Sequence, residues 1–512
     1  MGVLPRRIRA ARVARVMQAD TLTQSVLFLL AMTVFQRGIG FFRGVLFCSW
    51  LDPEELGQWD LTYGFLMLAA PVAVLGLTGT FGRYLEYYRT RGQTRPFLRH
   101  TSLWIALLAL AAATWMYLAP AWFSRLIFGS DGQQHLVGWI SLTLLVLIAF
   151  NYASELFGGL RIFRLVSIMQ FVQSALFFGL GTLLILAWQP TAQSVVMAFM
   201  FSTCVCVVLA TWWVAPAVAT LPATTSPMGS VDLGRKLLPF AANVWITNWL
   251  ANLFEVADRY MIVHHSGMPA DVALAQVGNY HAARVMPVVM IAVAALLRSA
   301  VLPHLSHDWE QGRRSDVSRQ LSLTVRMLGL ALLAGSVVLL FVAPWIFHYG
   351  FRGKFDGGLA VMPLTMTYLS WVGLMVVASS YLWVAERALL GSLSMALGLA
   401  VNIGLNLILL PRYGLYGAVL ATAIANAVTL GTTLWFNRLA DMRIDVGTVI
   451  VAASPACLAF GPWVSLGVLL VLTHQALTRN WLLSAAERQM CLGLAHKALA
   501  KVRRRTASVG DA

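Results

Sequence analysis

Charged side chains are scarce: Asp, Glu, Lys and Arg together make up 11% of the 512 residues, where a soluble globular protein carries roughly a quarter. So few charges cannot cover a folded chain of this length for water, which excludes an ordinary soluble domain. Period-2 alternation is also missing, and with it the signature of a membrane barrel, since lipid-exposed backbone must close its hydrogen bonds internally. The chain holds no GxxxxGK[ST], HExxH or GxSxG motif and so no sign of ATP hydrolysis or of metal- or serine-based hydrolysis. Cysteines are few. Cys48, Cys204, Cys206, Cys457 and Cys491 lie in or beside apolar blocks without metal-ligand spacing, and Cys204 and Cys206, two apart on a helix, do not share a face, so they read as packing residues. No cofactor is expected beyond a possible Na⁺ or H⁺ as coupling ion.

Apolar residues, by contrast, make up 59% of the chain and come in blocks of about 20, the length a helix needs to cross roughly 30 Å of hydrocarbon. The blocks fall at 22–48, 61–82, 101–123, 136–158, 165–188, 194–217, 237–263, 274–303, 321–346, 359–384, 388–410, 415–437, 446–460 and 462–477. They predict an all-α polytopic membrane protein of about 14 spans. The last two blocks are short and meet at Gly461-Pro462, so twelve or thirteen spans remain open there.

A formal charge of +16 would suggest nucleic acid in a soluble protein. Here the basic residues are spread over many loops beside lipid, which removes that partner and leaves the bilayer. With the N-terminus inside, the periplasmic loops hold Arg125, Arg352, Lys354 and Arg412, while most other Lys and Arg fall on the cytoplasmic side. The positive-inside rule then places both termini in the cytoplasm. Residues 1–21 are a basic segment with Arg6, Arg7, Arg9, Arg12 and Arg15 and no cleavage site before the first full span. An organelle transit peptide has similar composition, but an Arg-rich leader also anchors the cytoplasmic end of a first span.

An internal repeat runs through the sequence at an offset of about 220 residues. Leu56-Gly57-Gln58-Trp59 matches Val277-Gly278-Asn279-Tyr280, Trp122-Phe123 through Gly129 matches Trp345-Ile346 through Gly353, and FGLGTLLIL from Phe178 matches NIGLNLILL from Asn402. Two six-helix lobes are expected, 22–217 and 237–437, related by a pseudo-two-fold axis along the membrane normal with a site between them. The 218–236 stretch, rich in Pro, Ser, Thr and Gly, reads as a cytoplasmic linker. A helix pair at 446–477 and a basic cytoplasmic tail at 478–512 complete the chain.

Ionisable residues within apolar blocks cost about 2.5–3.5 kcal/mol each at the bilayer centre and so mark candidate chemistry. At 1.5 Å per residue, Arg37 sits near the midplane and Arg43 roughly 9 Å closer to the periplasm, about 120° away around the helix. Arg284 lies roughly 7 Å above the centre of the eighth block. Guanidiniums keep their charge when buried and bind phosphate bidentately, so three in one layer point to an anionic substrate such as a diphosphate; the alternative is that each snorkels or pairs with an acid, as expected for Arg298. Asn248, Asn252, Glu255 and Arg259 share one face of the seventh block, with Thr247 and Asp258 beside it. Either Glu255 and Arg259 neutralise each other, or Asn248, Asn252 and Glu255 bind sugar hydroxyls, or Glu255 or Asp258 takes up a coupling ion. Asn151, Glu155 and His281 lie near block ends, where polar residues are commonplace.

These motifs resemble the oligosaccharide flippases of the multidrug, oligosaccharidyl-lipid and polysaccharide exporter superfamily, over about residues 22–480. Arg37-Gly38-Ile39-Gly40-Phe41-Phe42-Arg43 is similar to that group's R-x-x-G-F-x-R, and Leu51 through Trp59 to its acidic turn. Val256 through Tyr260, Val277 through Arg284 with Pro287, and Asn406 through Pro411 followed by Tyr413 through Ala418 resemble its later motifs. The resemblance implies fourteen spans, alternating access and a polyprenyl-diphosphate-linked oligosaccharide as substrate, with Arg37, Arg43 and Arg284 matching the arginines of the lipid II flippases' cationic cavity. The lipid II group's basic second-span motif is replaced here by PVAVLGLTGTFGRYL, which favours a surface-polysaccharide repeat unit over the peptidoglycan precursor.

The expected function is movement of that unit to the periplasmic leaflet of a bacterial cytoplasmic membrane, alone or within a polysaccharide biosynthesis complex. A cation-coupled drug exporter of the same superfamily is the alternative, kept open by Glu255 and Asp258 but fitting the arginines poorly. A membrane enzyme that polymerises or ligates oligosaccharides ranks third, because such enzymes carry a long periplasmic loop and every loop here is about a dozen residues or shorter.

Overall fold

A computed structural model describes residues 22–219 and 230–479, together with 482, 484, 485 and 487–489. The basic segment 1–21, positions 220–229 of the expected linker, Cys491 and most of the basic tail lie outside these residues. Every regular element described is a helix, as backbone in hydrocarbon requires. Each of the fourteen apolar blocks coincides with a helix or a pair of helices. Among the described residues, eight helices are both long and apolar enough to cross a bilayer, or nine with one bent pair; Ala388–Leu439 alone carries two blocks. The chain is thus a multi-pass membrane protein of all-α architecture.

In chain order the helices that matter below are α1 (Leu22–Trp50), α2 (Pro53–Ala73), α3 (Phe81–Thr90), α4 (Thr94–Leu118), α5 (Gln134–Gly159), α6 (Phe163–Ala187), α7 (Ala192–Ala219), α8 (Ser230–His265), α9 (Ala270–Val285), α10 (Val288–Glu310), α11 (Arg314–Trp345) and α12 (Asp356–Ala378). Several blocks read as continuous spans are broken, and two of the breaks bear on the charged residues. The block 61–82 is cut after Ala73, and the chain resumes through a 3₁₀ turn into α3 with a bend of 62°. Pro71 removes one amide from the ladder, and Leu75 and Gly76 then turn left-handed at φ 51° and 66°. Gly76 is needed there twice over, because a Cβ would meet the Trp245 Cβ at 2.7 Å and the Ala241 carbonyl at 3.0 Å. The block 274–303 is split into α9 and α10 at Met286-Pro287, where proline again cannot continue the helix before it. Arg284 therefore stands in the last turn of α9, where a cation is favoured by the helix dipole.

The eleventh and twelfth blocks meet at Gly414, whose φ of 58° and ψ of −137° interrupt Ala388–Leu439. The penultimate block is helical only over Val446–Ala453 and continues as a 3₁₀ helix, Ser454–Phe460, as Pro455 withdraws an amide from the α ladder.

The described residues divide into two compact units. One draws on Met1–Val285, Ile346–Leu359 and Ile403–Ala418, the other on Met286–Trp345, Ala360–Asn402 and Val419–Ala512. The second unit is tied by polar contacts between helices, among them Ser336 to Ser370 at 3.2 Å, Asn402 to Thr422 at 3.1 Å and Asn437 to the Ala378 carbonyl at 2.9 Å. Its buried Arg326 bonds the Leu482 carbonyl at 2.6 Å and Glu487 at 3.0 Å and pairs with Asp445 at 3.3 Å. Leu482 and Glu487, beyond the last helix, are thereby fastened to α11.

Candidate functional site

Within the first unit α2 crosses α9 with almost nothing between the backbones. A Cβ on Gly57 would lie 1.9 Å from the Leu274 carbonyl oxygen, and one on Gly278 would lie 1.8 Å from the Pro53 carbonyl oxygen. These are the glycines of the repeated Leu-Gly-Gln-Trp and Val-Gly-Asn-Tyr motifs, so the two copies of the motif meet each other. Close approach through glycine is a common device for joining helices in lipid.

One turn further along, the crossing brings charged residues together. Asp60 of α2 accepts a hydrogen bond at 2.7 Å from His281 Nδ1, 221 residues away, when that nitrogen carries the proton. The Arg259 guanidinium of α8 reaches the same carboxylate at 3.2 Å from Nε and 3.4 Å from Nη1. Both side chains are buried, 3% exposed for Arg259 and 5% for Asp60, and Gly64 opens the space beside the guanidinium. Arg259 also lies 3.8 Å from Glu255, and Glu255 in turn accepts from Arg284 Nη2 at 3.1 Å. The chain of charges runs His281, Asp60, Arg259, Glu255, Arg284. Its Glu255 end is open, with 64% of that side chain exposed.

The expected face of the seventh block therefore divides. Arg259 is nearer to Asp60 than to Glu255, so the self-neutralising Glu255–Arg259 pair is only part of its environment. Asp258 is buried and takes the Tyr280 hydroxyl at 2.6 Å and the Arg259 amide at 3.0 Å. Asn248 is exposed and Asn252 half-buried, on the same side of α8 as Glu255 by their spacing. Arg284 also stands over the Tyr280 ring, 5.6 Å from its centre.

Arg43 lies 4.2 Å from the centre of the Phe177 ring of α6, a cation–π contact, and makes no ion pair among the described residues. Phe177 packs with Trp59 and Phe199 at 5.5 Å and 5.2 Å between ring centres. Arg37 is exposed on α1. A Cβ on Gly44 of α1 would meet Val285 Cγ1 at 2.9 Å, so α1 packs beside the end of α9 that carries Arg284. Arg298, expected to snorkel, lies in the other unit, 5.7 Å from the Trp383 ring centre.

Chemically, the cluster can hold an anion on guanidiniums and move a proton on an exposed carboxylate. Asp60 is the residue that sequence reading passed over. It stands one position before the second apolar block as drawn, yet the repeat aligns it with His281, the partner it contacts.

A family model described as "Polysaccharide biosynthesis protein" matches residues 22–309. The chain is 21% identical to the uncharacterized membrane protein YabM of Bacillus subtilis (strain 168), over 78% of each sequence. Its fold resembles that of the lipid II flippase MurJ in an inward closed conformation, with a TM-score of 0.69, 13% identity, and coverage of 87% of this chain and 98% of that one. It also resembles a multidrug resistance MATE transporter of the MOP superfamily in an inward-facing conformation, with a TM-score of 0.62, 15% identity, and coverage of 81% and 97%.

Proposed function

Because the chain belongs to the polysaccharide biosynthesis protein family, we propose that it is a flippase for a polyprenyl-diphosphate-linked oligosaccharide, carrying a surface-polysaccharide repeat unit from the cytoplasmic to the periplasmic leaflet of a bacterial cytoplasmic membrane. The observation that carries this reading is that Arg284 and Arg43 stand beside the α2–α9 crossing, Arg284 on Glu255 and Arg43 over the Phe177 ring that packs on Trp59. Arg259 and Arg284 share the exposed Glu255 carboxylate, and Arg43 makes no ion pair among the described residues, so positive charge is left for an anion to neutralise. An anion with several phosphate oxygens completes such a cluster.

In this mechanism Arg37, Arg43 and Arg284 hold the diphosphate, and Asn248 and Asn252 bond sugar hydroxyls. The polyprenyl tail stays in lipid. Arg284 is engaged by Glu255 before substrate arrives, so diphosphate takes Arg284 from Glu255, and the released carboxylate is the candidate site for a coupling proton or Na⁺. Asp258, tied to Tyr280, and Arg259, tied to Asp60, hold the frame for that exchange. Access alternates between the two sides of the membrane, biased by an ion gradient or by the membrane potential, worth about 2.3 kcal/mol per charge at 100 mV.

The test is a host lacking the gene, complemented by the wild type or by Arg37→Ala with Arg284→Ala. Accumulation of the lipid-linked unit and loss of surface polymer, both reversed by the wild type alone, is the expected result. A second reading, a cation-coupled drug exporter, draws on the exposed Glu255 carboxylate and the MATE-like fold. Unchanged lipid-linked pools with raised drug susceptibility in the deletion host would select it.

A further inference from the structure

Away from the α2–α9 crossing, the first unit carries a groove of about 940 Å³ between α4, α5 and α7. Alanines make the room, among them Ala106, Ala109, Ala153 and Ala210, and almost all of the wall is hydrocarbon. From Arg95 at one end to Leu110 at the other is fifteen positions of α4, roughly 22 Å, longer than the ~15 Å of one leaflet's hydrocarbon. On helices that cross a bilayer, the occupant of such a groove must be largely aliphatic chain.

Its mouth has the opposite chemistry. Arg95 and Arg99, four residues apart and hence on one face of α4, both line it and both are exposed. Neither makes a hydrogen bond or an ion pair among the described residues, and no acidic residue lines the groove. Just inside, Ser102 and Tyr152 share a hydrogen bond at 2.6 Å, a neutral polar step between the guanidiniums and the hydrocarbon. The order along the groove is cationic, hydroxylic, apolar, which mirrors an anionic headgroup, its ester region and its acyl chains.

We propose that this groove is a binding site for an anionic phospholipid of the surrounding bilayer, seated with its phosphate between Arg95 and Arg99 and an acyl chain along the alanines. None of its residues belongs to the charge chain from His281 to Arg284, so the lipid is a resident of the first unit and not the cargo. Bound there, it fastens α4 to α5 and α7 where their contact is interrupted.

Native mass spectrometry of the full chain, released from mixed micelles with equimolar phosphatidylglycerol and phosphatidylcholine, tests this. The wild type is expected to retain phosphatidylglycerol preferentially. Arg95→Ala with Arg99→Ala, both on the surface and harmless to folding, should weaken that retention about thirtyfold without altering phosphatidylcholine. Ala109→Phe, which fills the groove, should remove the retained lipid while a melting curve shows the protein folded. Equal retention of the two lipids by the wild type, or no change in the double variant, overturns the proposal. So does displacement of phosphatidylglycerol by an equimolar polyprenyl phosphate, which would make the groove a berth for the carrier lipid instead.

Discussion

Gly57 and Gly278 touch each other's helices: a Cβ on the first would stand 1.9 Å from the Leu274 oxygen and one on the second 1.8 Å from the Pro53 oxygen. Both neighbours are backbone, which cannot swing aside as a side chain tip can. Gly57→Ala and Gly278→Ala should each destabilise by more than the ~1–3 kcal/mol usual for overpacking and lower the apparent melting temperature in detergent. Gly82→Ala is the control, since a Cβ there meets nothing within 4 Å, and it should melt as the wild type does.

Asp60 and Arg259 neutralise each other out of reach of water. Removing one partner leaves a buried charge, so Asp60→Asn should cost about 3–5 kcal/mol. Asp60→Leu combined with Arg259→Met removes both charges and should recover most of that loss. Melting curves for Asp60→Leu, Arg259→Met and the double variant close the cycle, and strict additivity would show that the two residues do not act as a pair.

Arg284 is held by an exposed carboxylate, Glu255, at 3.1 Å, and the two substitutions should separate by function. Arg284→Ala is expected to lower polymer export in complemented cells by at least about tenfold at unchanged protein level, the cost of a lost charge-assisted contact. Glu255→Gln should keep substrate binding while export loses its response to a collapsed proton or sodium gradient. Export by Glu255→Gln that still falls with the gradient would remove this carboxylate as the coupling group.

Gly76 combines a left-handed φ of 66° with a Trp245 Cβ 2.7 Å from where its own would be. Gly76→Val should therefore give poor yield and early melting, whereas the same change at Gly92, equally left-handed but with open space around it, should cost strain alone. Yield by fluorescence-detected gel filtration ranks the two.

The helices were legible because hydrocarbon imposes a length on them and the apolar runs have that length. What the runs concealed is where they break. Pro71 with Gly76, and Pro287 alone, cut blocks whose hydropathy is continuous, so composition averaged over a block passes across the break while the backbone does not. The charge chain was half visible. Glu255, Arg259 and Arg284 stand out because apolar neighbours surround them, but Asp60 follows the polar turn of Glu54 and Glu55 and reads as more of the same. Its burial comes from the crossing of two helices more than 200 residues apart in sequence, and only the repeat, which puts Asp60 in register with His281, carries any trace of that.

A contact made of two bare backbones has no side chain to compress, flip or repack. The separation of α2 and α9 at Gly57 and Gly278 is fixed by atomic radii. That floor on the distance between two backbones also sets the gap one turn on, where Asp60 and His281 stand a single hydrogen bond apart.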